Sequence, residues 1–100
     1  MSLRLPDLKA QDSFLYPLGV EIMGEKAASL GRAGERVEKS IAALEGHDGD
    51  DDARKRLVAQ AVDAVYAYFV QRELCGFRRH QDVIAQYRIP REVLARLGAR

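Results

Sequence analysis

The feature that most constrains the fold is the segment Leu57–Val70, in which only Gln60 and Asp63 interrupt a run of apolar and small residues. A surface helix carries a single apolar stripe, whereas a helix that is apolar nearly all round is enclosed by other elements. The run therefore predicts a central helix with other helices packed around it. Gln60 and Asp63 are one helical turn apart, so we expect them to mark a narrow exposed strip.

The size and composition of the chain favour one ordinary folded domain. It has 100 residues, of which 47% are hydrophobic and 31% charged. That length allows one modest core, and the composition is that of a folded protein rather than a disordered one. The net charge of +1 gives no strong overall field to attract nucleic acid or an anionic membrane.

Cysteine content and hydropathy indicate the cellular compartment. Cys75 is the only cysteine, so an intramolecular disulfide is impossible, which is typical of a reducing compartment. The first residues include no apolar run of signal-peptide length. Leu57–Val70 is shorter than the roughly 20 residues that a membrane span needs. The sequence therefore predicts a soluble, cytoplasmic protein without membrane association.

A heptad pattern predicts a long first helix over residues 17–46, with Pro17 at its first position, where a missing N–H is tolerated. Steps of three and four residues define an apolar seam. Its members are Val20, Met23, Ala27, Leu30, Gly34, Val37, Ile41 and Leu44. Residues 1–16 are predicted to form an N-terminal segment that packs on the core, and residues 17–100 to form a single helical domain.

Glycines are unusually frequent in this predicted helix. They are Gly19, Gly24, Gly31 and Gly34, and each interior glycine costs a helix roughly 0.5–1 kcal/mol relative to alanine. The interpretation we favour is close approach of a neighbouring backbone or ring, with Tyr66, Tyr68 and Phe69 as candidates. The alternative is a helix that is kinked near Gly31 and Gly34.

An acidic turn separates this helix from the central one. Gly46 suits a helix C-terminus, and one of Asp50, Asp51 and Asp52 suits the next N-cap. A calcium-binding EF-hand loop beginning at Asp48 would need glycine and glutamate where the chain has Ala53 and Ala59, so we interpret the turn as solvated. So short a turn makes its two helices antiparallel neighbours.

The second helix, predicted from about Asp52 to Cys75, has two adjacent apolar seams and therefore needs two partners. The first helix supplies one, and residues 77–97 or a second subunit must supply the other. Gly76 ends the second helix, after which a third helix is predicted over Phe77–Tyr87 and a last one over Pro90–Leu97. The predicted fold class is all-α, a long antiparallel helical hairpin plus two short C-terminal helices.

The surplus of apolar helix face predicts a homodimer in which helices of two copies pack across a two-fold axis. We expect charged substitutions at Leu30 and Val37 to destroy the fold or the dimer.

The sequence offers no defensible catalytic site. Cys75 and His80 are five residues apart on a bent helix, with nothing nearby to orient the imidazole. No glutamate is followed by histidine three residues later, as a di-iron helical bundle requires. We therefore expect a protein that is not an enzyme, with no catalytic residue, no metal ligand and no cofactor.

Charge segregation is the strongest functional hint. Between Gly76 and Arg100 there are six arginines, no lysine and only two acids, and arginine suits bidentate recognition of carboxylate or phosphate. The candidate partner-binding residues are Arg78, Arg79, His80, Arg88 and Arg91. Our first hypothesis is a non-enzymatic interaction or adaptor protein that docks an acidic partner. The alternatives are a nucleic-acid-binding protein that uses residues 78–96, and arginines that merely line the exposed edge of packed helices.

Two resemblances accompany these patterns. Residues 82–97, which read DVIAQYRIPREVLARL, resemble a bacterial helix-turn-helix, although the turn is one residue short and Arg88 lies where the turn glycine would be. Such a motif implies DNA binding through its second helix. The segments RELCGFRRH (72–80) and IPREVL (89–94) resemble those of a small all-helical bacterial family of unknown function. That resemblance implies no activity.

Overall fold

The part of the chain that the structure describes consists of helices joined by short turns and loops. The structure is a computed structural model that describes the backbone of residues 5–98 and the side chains of residues 23–98. It contains α1 (Leu5–Glu45), α2 (Asp51–Leu74), α3 (Gln81–Gln86) and α4 (Arg91–Gly98), with no strand between residues 5 and 98. The predicted all-α class is confirmed, with two long helices followed by two short ones. None of the described helices combines the length and the apolar character needed to cross a membrane.

The first helix begins earlier than the sequence predicts. It is continuous from Leu5 to Glu45, so Pro17 is an interior residue rather than the first residue of the helix. An interior proline removes one backbone hydrogen bond, but here it does not mark a boundary. The predicted packing of segment 1–16 on the core falls outside the described side chains.

The hairpin turn has the N-cap that its aspartates predict. The side chain of Asp50 accepts a hydrogen bond from the backbone N–H of Ala53 over 2.8 Å. This satisfies one of the N–H groups that the first turn of a helix leaves unpaired. Asp51 and Asp52 then lie in the first turn of α2, where negative charge complements the helix dipole. The chain reverses here, and α2 runs antiparallel to α1.

The core lies between α1 and α2 and continues under the C-terminal helices, with α2 at its centre as predicted. Gln60 and Asp63 are both exposed, which confirms the polar strip on this helix. α2 contacts both α1 and α4, and residues of both its apolar seams belong to one buried cluster with residues of α1 and of segment 83–97. The buried apolar side chains are Val37, Ile41, Leu44, Val58, Ala61, Val62, Ala64, Val65, Tyr68, Val83, Ile89 and Val93.

The two short helices attach to the side of α2. Val93 is fully buried against the core, and Arg54 near the start of α2 forms an ion pair with Glu92 of α4. The half-exposed ion pair contributes little, because exposed pairs are worth about 0–1 kcal/mol. Burial of Val93 is therefore the larger contribution to docking of α4.

The glycines of α1 divide into two groups. A Cβ atom on Gly34 would lie 3.0 Å from the hydroxyl of Tyr87 and 3.5 Å from the ring of Tyr68. This confirms close packing against Tyr68 at that position. Gly24 and Gly31 have no such neighbour within 4 Å, so the prediction is wrong for them within one chain. Gly24 lies beyond the end of α2, whereas Gly31 shares a face of α1 with Glu35 and Glu38, and that face is exposed. Gly19 lies outside the described side chains.

The unequal lengths of the two long helices have a visible consequence. α1 has 41 residues and α2 has 24, and the molecule is 61 Å long. α2 ends at Leu74, close to Leu30 of α1. Further back along α1, residues 23–28 are all exposed, and Met23 is 70% exposed. The apolar seam therefore continues beyond the helix that covers it.

Candidate functional site

The end of α2 is shaped by a glycine-dependent turn. Gly76 has φ of +99°, a left-handed conformation that glycine adopts without steric cost. The N–H of Phe77 bonds to the carbonyl of Arg72 over 2.9 Å, and the N–H of Gly76 bonds to that of Glu73 over 3.0 Å. These two bonds form a Schellman motif, which terminates the helix. Residues 77–80 therefore form a loop, and α3 begins at Gln81 rather than at the predicted Phe77.

Arg72 fixes the conformation of this loop. Its guanidinium, on a residue only 6% exposed, donates from Nη2 to the carbonyl of Arg79 over 2.9 Å. The same nitrogen lies 3.4 Å from the carboxylate of Asp82. The guanidinium carbon also lies 4.8 Å from the ring centre of Phe77, within the range of a cation–π interaction. One buried cation thus connects α2 to several points of the loop and to α3.

His80 is a second internal contact of the loop. Its ring stacks on Phe69 with 4.1 Å between ring centres. Nδ1 accepts a hydrogen bond from Nε of Arg72 over 3.1 Å, and Nε2 lies 3.0 Å from a carboxylate oxygen of Glu73. Of the predicted partner-binding residues, His80 is thus the one whose ring is engaged within the fold.

Arg78 and Arg79 remain exposed at the outer side of this fixed loop. Both line an open cavity of about 570 Å³, together with Arg72, Phe77 and Asp82. Within residues 23–98, neither guanidinium forms an ion pair with an acid. The local acids Glu73 and Asp82 are instead in contact with His80 and Arg72. Two unpaired guanidinium groups on a pre-ordered loop are suited to bind carboxylates.

The other two predicted residues lie elsewhere. Arg88 lines a separate groove in which Glu38 and Glu45 of α1 are also present. Arg91 is exposed at the first residue of α4. The five predicted residues therefore do not form one cluster, and the structure brings together only Arg78, Arg79 and His80.

The turn between α3 and α4 has an unusual backbone at Arg88. Its φ is +53°, the left-handed region that glycine favours and that strains a residue with a Cβ. The N–H of Ile89 bonds to the carbonyl of Ile84 over 3.0 Å, so this turn also ends its helix with a Schellman bond. Arg88 therefore has the conformation of the turn glycine in the motif that residues 82–97 resemble. In α4, the second helix of that motif, Val93 is buried while Arg91 and Arg96 are exposed.

An apolar groove adjoins the arginine loop. Met23, Ala27 and Leu30 of α1 line it on one side, and Leu74, Cys75 and Phe77 line it on the other, around a cavity of about 340 Å³. Leu74 is 66% exposed and Phe77 is 48% exposed. Phe77 also lines the arginine cavity, so the two features share a side chain.

Sequence reasoning missed Arg72 and Tyr87. Arg72 is the one buried charged residue among the described side chains. Tyr87 contacts Tyr68 edge-to-face at 5.7 Å between ring centres. Burial raises the pKa of the Tyr87 hydroxyl, and a hydrogen bond with Tyr68 raises it further. A signal existed for Arg72, because its position lies four residues after Tyr68 and three after Phe69 on the apolar side of α2.

The described residues form neither a group of metal ligands nor a cysteine–histidine pair. Between residues 23 and 98, no three side chains of histidine, cysteine, aspartate or glutamate are grouped as metal ligands would be. His80 contacts Arg72 and Glu73, and His47 contacts Asp50 and Gly49. Neither imidazole is paired with Cys75.

Comparison with known proteins gives a family without an activity. No curated protein matches the chain, and no solved structure matches it. Residues 2–100 match the model of a family of unknown function, DUF6665, and the chain belongs to that family. The expected relationship to a family of unknown function is therefore confirmed.

Proposed function

Since the family has no assigned activity, we propose from the geometry that this chain is a non-enzymatic helical interaction protein that acts as a homodimer. In this proposal, the protein presents Arg78 and Arg79 to an acidic protein partner. The observation that carries it is the loop fixed by Arg72, which exposes both arginines beside an open cavity.

Pre-organisation is the physical support for a binding role. An exposed arginine in a mobile segment loses conformational entropy when it binds, and this loss reduces affinity. Here the backbone that bears Arg78 and Arg79 is already fixed by the Arg72–Arg79 hydrogen bond and by the stacked His80. A carboxylate ligand therefore meets donors whose backbone positions are set in advance.

Arg78 and Arg79 are better candidates for binding an acidic ligand than the other arginines, because those already lie beside acidic residues of the fold. Arg54 is paired with Glu92, and Arg88 shares its groove with two glutamates. Arg78 and Arg79 share their cavity with Asp82, which is already in contact with Arg72. An acidic ligand there would face two unneutralised cations and one aspartate.

A binding experiment with an acidic probe tests the proposal. The probe is a fluorescein-labelled oligo-glutamate peptide, measured by anisotropy against the wild-type protein, R78Q/R79Q and the matched control R36Q/R56Q. Arg36 and Arg56 are exposed but outside the arginine cavity. We expect R78Q/R79Q to weaken binding roughly tenfold or more, since a charge-assisted hydrogen bond is worth about 1.5–3 kcal/mol. Equal binding by both double variants would contradict the assignment.

A parallel titration with short duplex DNA distinguishes a nucleic-acid partner from an acidic protein partner. Phosphate binding weakens steeply as salt rises, in proportion to the number of phosphates neutralised. Tight, salt-dependent binding of DNA in the absence of peptide binding would replace an acidic protein partner with a nucleic acid. Our expectation is preferential binding of the peptide.

A further inference from the structure

We propose that His80 is a pH-sensitive switch for the loop of residues 77–80, which bears Arg78 and Arg79. While the imidazole ring is neutral, its contact with Arg72 holds the loop in place. When the ring takes up a proton, that contact is lost and the loop is released. The inference rests on the proposed function only where it concerns ligand binding, because release of the loop is a property of the fold itself.

The two ring nitrogens of His80 face partners of opposite charge. Nδ1 accepts a hydrogen bond from Nε of Arg72 over 3.1 Å, and Nε2 lies 3.0 Å from a carboxylate oxygen of Glu73. A neutral imidazole has one donor and one acceptor nitrogen, whereas both nitrogens of an imidazolium are donors. The neutral ring therefore satisfies both partners, and the charged ring satisfies only Glu73.

Protonation at Nδ1 would place two donors against each other. The added N–H would point at the N–H of Arg72, with the two nitrogen atoms 3.1 Å apart. Both groups would then be positively charged, and both side chains are largely buried. Repulsion between like charges is stronger where water is excluded. The contact between Arg72 and His80 therefore cannot persist once the ring is charged.

Glu73 provides the charged ring with another partner. An imidazolium would form a charge-assisted hydrogen bond with this carboxylate, which offsets the repulsion from Arg72. Among the described residues, Arg72 and Glu73 of α2 are the charged side chains in contact with the ring, and Asp82 of α3 contacts Arg72 instead. Imidazole changes its charge between about pH 5 and 8. Mild acid therefore exchanges one partner of His80 for the other.

The ring, rather than Arg72, is the part that should move. The side chain of Glu73 is 58% exposed, so it is able to follow the ring outward. Arg72 is buried and also donates to the carbonyl of Arg79 over 2.9 Å. Because residue 79 directly precedes His80 in the chain, an outward shift of His80 strains this second bond as well. Both bonds that fix the loop to Arg72 are thus weakened by one proton.

Release of the loop predicts a pH dependence of binding whose sign is informative. A ligand that binds Arg78 and Arg79 on a released loop must order that loop, which reduces affinity. An additional positive charge near these arginines would, by itself, strengthen binding of an acidic ligand. Weaker binding in mild acid therefore distinguishes release of the loop from a purely electrostatic effect.

The side-chain resonance of Arg72 tests the switch without any ligand. In nitrogen–proton NMR spectra of the full chain, the Nε–H of Arg72 should have a hydrogen-bonded chemical shift at about pH 8 and that of a solvated guanidinium at about pH 5.5, in step with the titration of His80. H80N is the matched variant, because its amide oxygen accepts the same hydrogen bond but does not titrate. It should keep the hydrogen-bonded shift at both pH values. An unchanged Arg72 resonance in the wild type after His80 is charged would overturn the proposal.

Anisotropy with the labelled oligo-glutamate peptide tests the consequence for binding. The wild type and H47N, which lacks the other histidine, should bind roughly three- to tenfold more weakly at about pH 5.5 than at about pH 8. H80N should bind equally at both values, which also controls for titration of the peptide. The same pH response in H80N and the wild type would overturn the switch. Absence of peptide binding at every pH would overturn the proposed function, while the Arg72 resonance would still decide whether His80 releases the loop.

Discussion

Arg72 donates a hydrogen bond from Nε to Nδ1 of His80 over 3.1 Å, which links the last turn of α2 to the residue that precedes α3. A guanidinium nitrogen has no acceptor capacity, so Nδ1 must carry the lone pair. The proton of the neutral ring is therefore on Nε2, which faces Glu73 over 3.0 Å. One buried arginine thus selects the tautomer of a histidine and aligns it between two elements.

This relationship predicts the tautomer of His80. Nitrogen NMR at alkaline pH, where imidazole is neutral, should show the Nε2–H form of His80 almost alone in the wild-type protein. The R72L variant should show a mixture, because Nδ1 has lost its donor. An H47N background, which removes the other histidine, makes the assignment unambiguous. A mixture in the wild type would contradict the hydrogen bond.

Loss of Arg72 should destabilise the fold. R72L removes the donor to His80 and to the carbonyl of Arg79, and part-buried acceptors left without partners cost up to about 1–3 kcal/mol each. We expect the free energy of unfolding to fall by about 2–3 kcal/mol in urea titrations. The exposed Arg56 is the control, and R56L should change stability by less than about 0.5 kcal/mol.

Gly34 should tolerate no large side chain. The Tyr87 hydroxyl and the Tyr68 ring occupy the space beside it, and overpacking a core costs about 1–3 kcal/mol. G34L should therefore lower the free energy of unfolding by at least that amount. A43L places the same side chain on an exposed position of the same helix and should be nearly neutral. Equal stability of the two variants would rule out the close packing.

Because of Tyr87, we expect the free energy of unfolding to depend on pH in the alkaline range. Burial, assisted by Tyr68, raises the pKa of its hydroxyl above the ordinary value of 10.0, so the folded state retains the proton longer than the unfolded state. The stabilisation is fully present below pH 10 and is lost as pH rises through the raised value. Urea titrations from pH 8 to about 11 should show a decline in stability that is smaller in Y87F.

Arg88 carries backbone strain that glycine would relieve. With φ of +53°, a side chain costs about 1–2 kcal/mol, while glycine is penalised only through its greater freedom in the unfolded chain. R88G should therefore raise the free energy of unfolding by about 0.5–1 kcal/mol. Q86G, at an exposed helical position, should lower it by about 1 kcal/mol.

The helical hairpin and its central helix could be predicted from the sequence, whereas the residue at which α1 begins could not. Apolar periodicity identifies the hairpin and the central α2, because burial of Val37, Ile41, Val58 and Val65 is encoded by helical spacing. The start of α1 was predicted wrongly because proline is common at the first position of a helix, which suggested that α1 begins at Pro17. The helix is in fact continuous through Pro17.

Tertiary contacts explain the other differences. The loop at residues 77–80 depends on bonds from Arg72 to residues seven to ten positions later, which no local pattern contains. Arg78 and Arg79 were identified as candidates by composition alone. Their separation from Arg88 and Arg91 emerges only when α3 and α4 fold back along α2.

Phe77 lines both the arginine cavity and the apolar groove. An acidic peptide that moves the Phe77 ring would therefore change the surface of the groove as well. By reciprocity, any ligand that binds the groove would change the affinity for the peptide by the same factor.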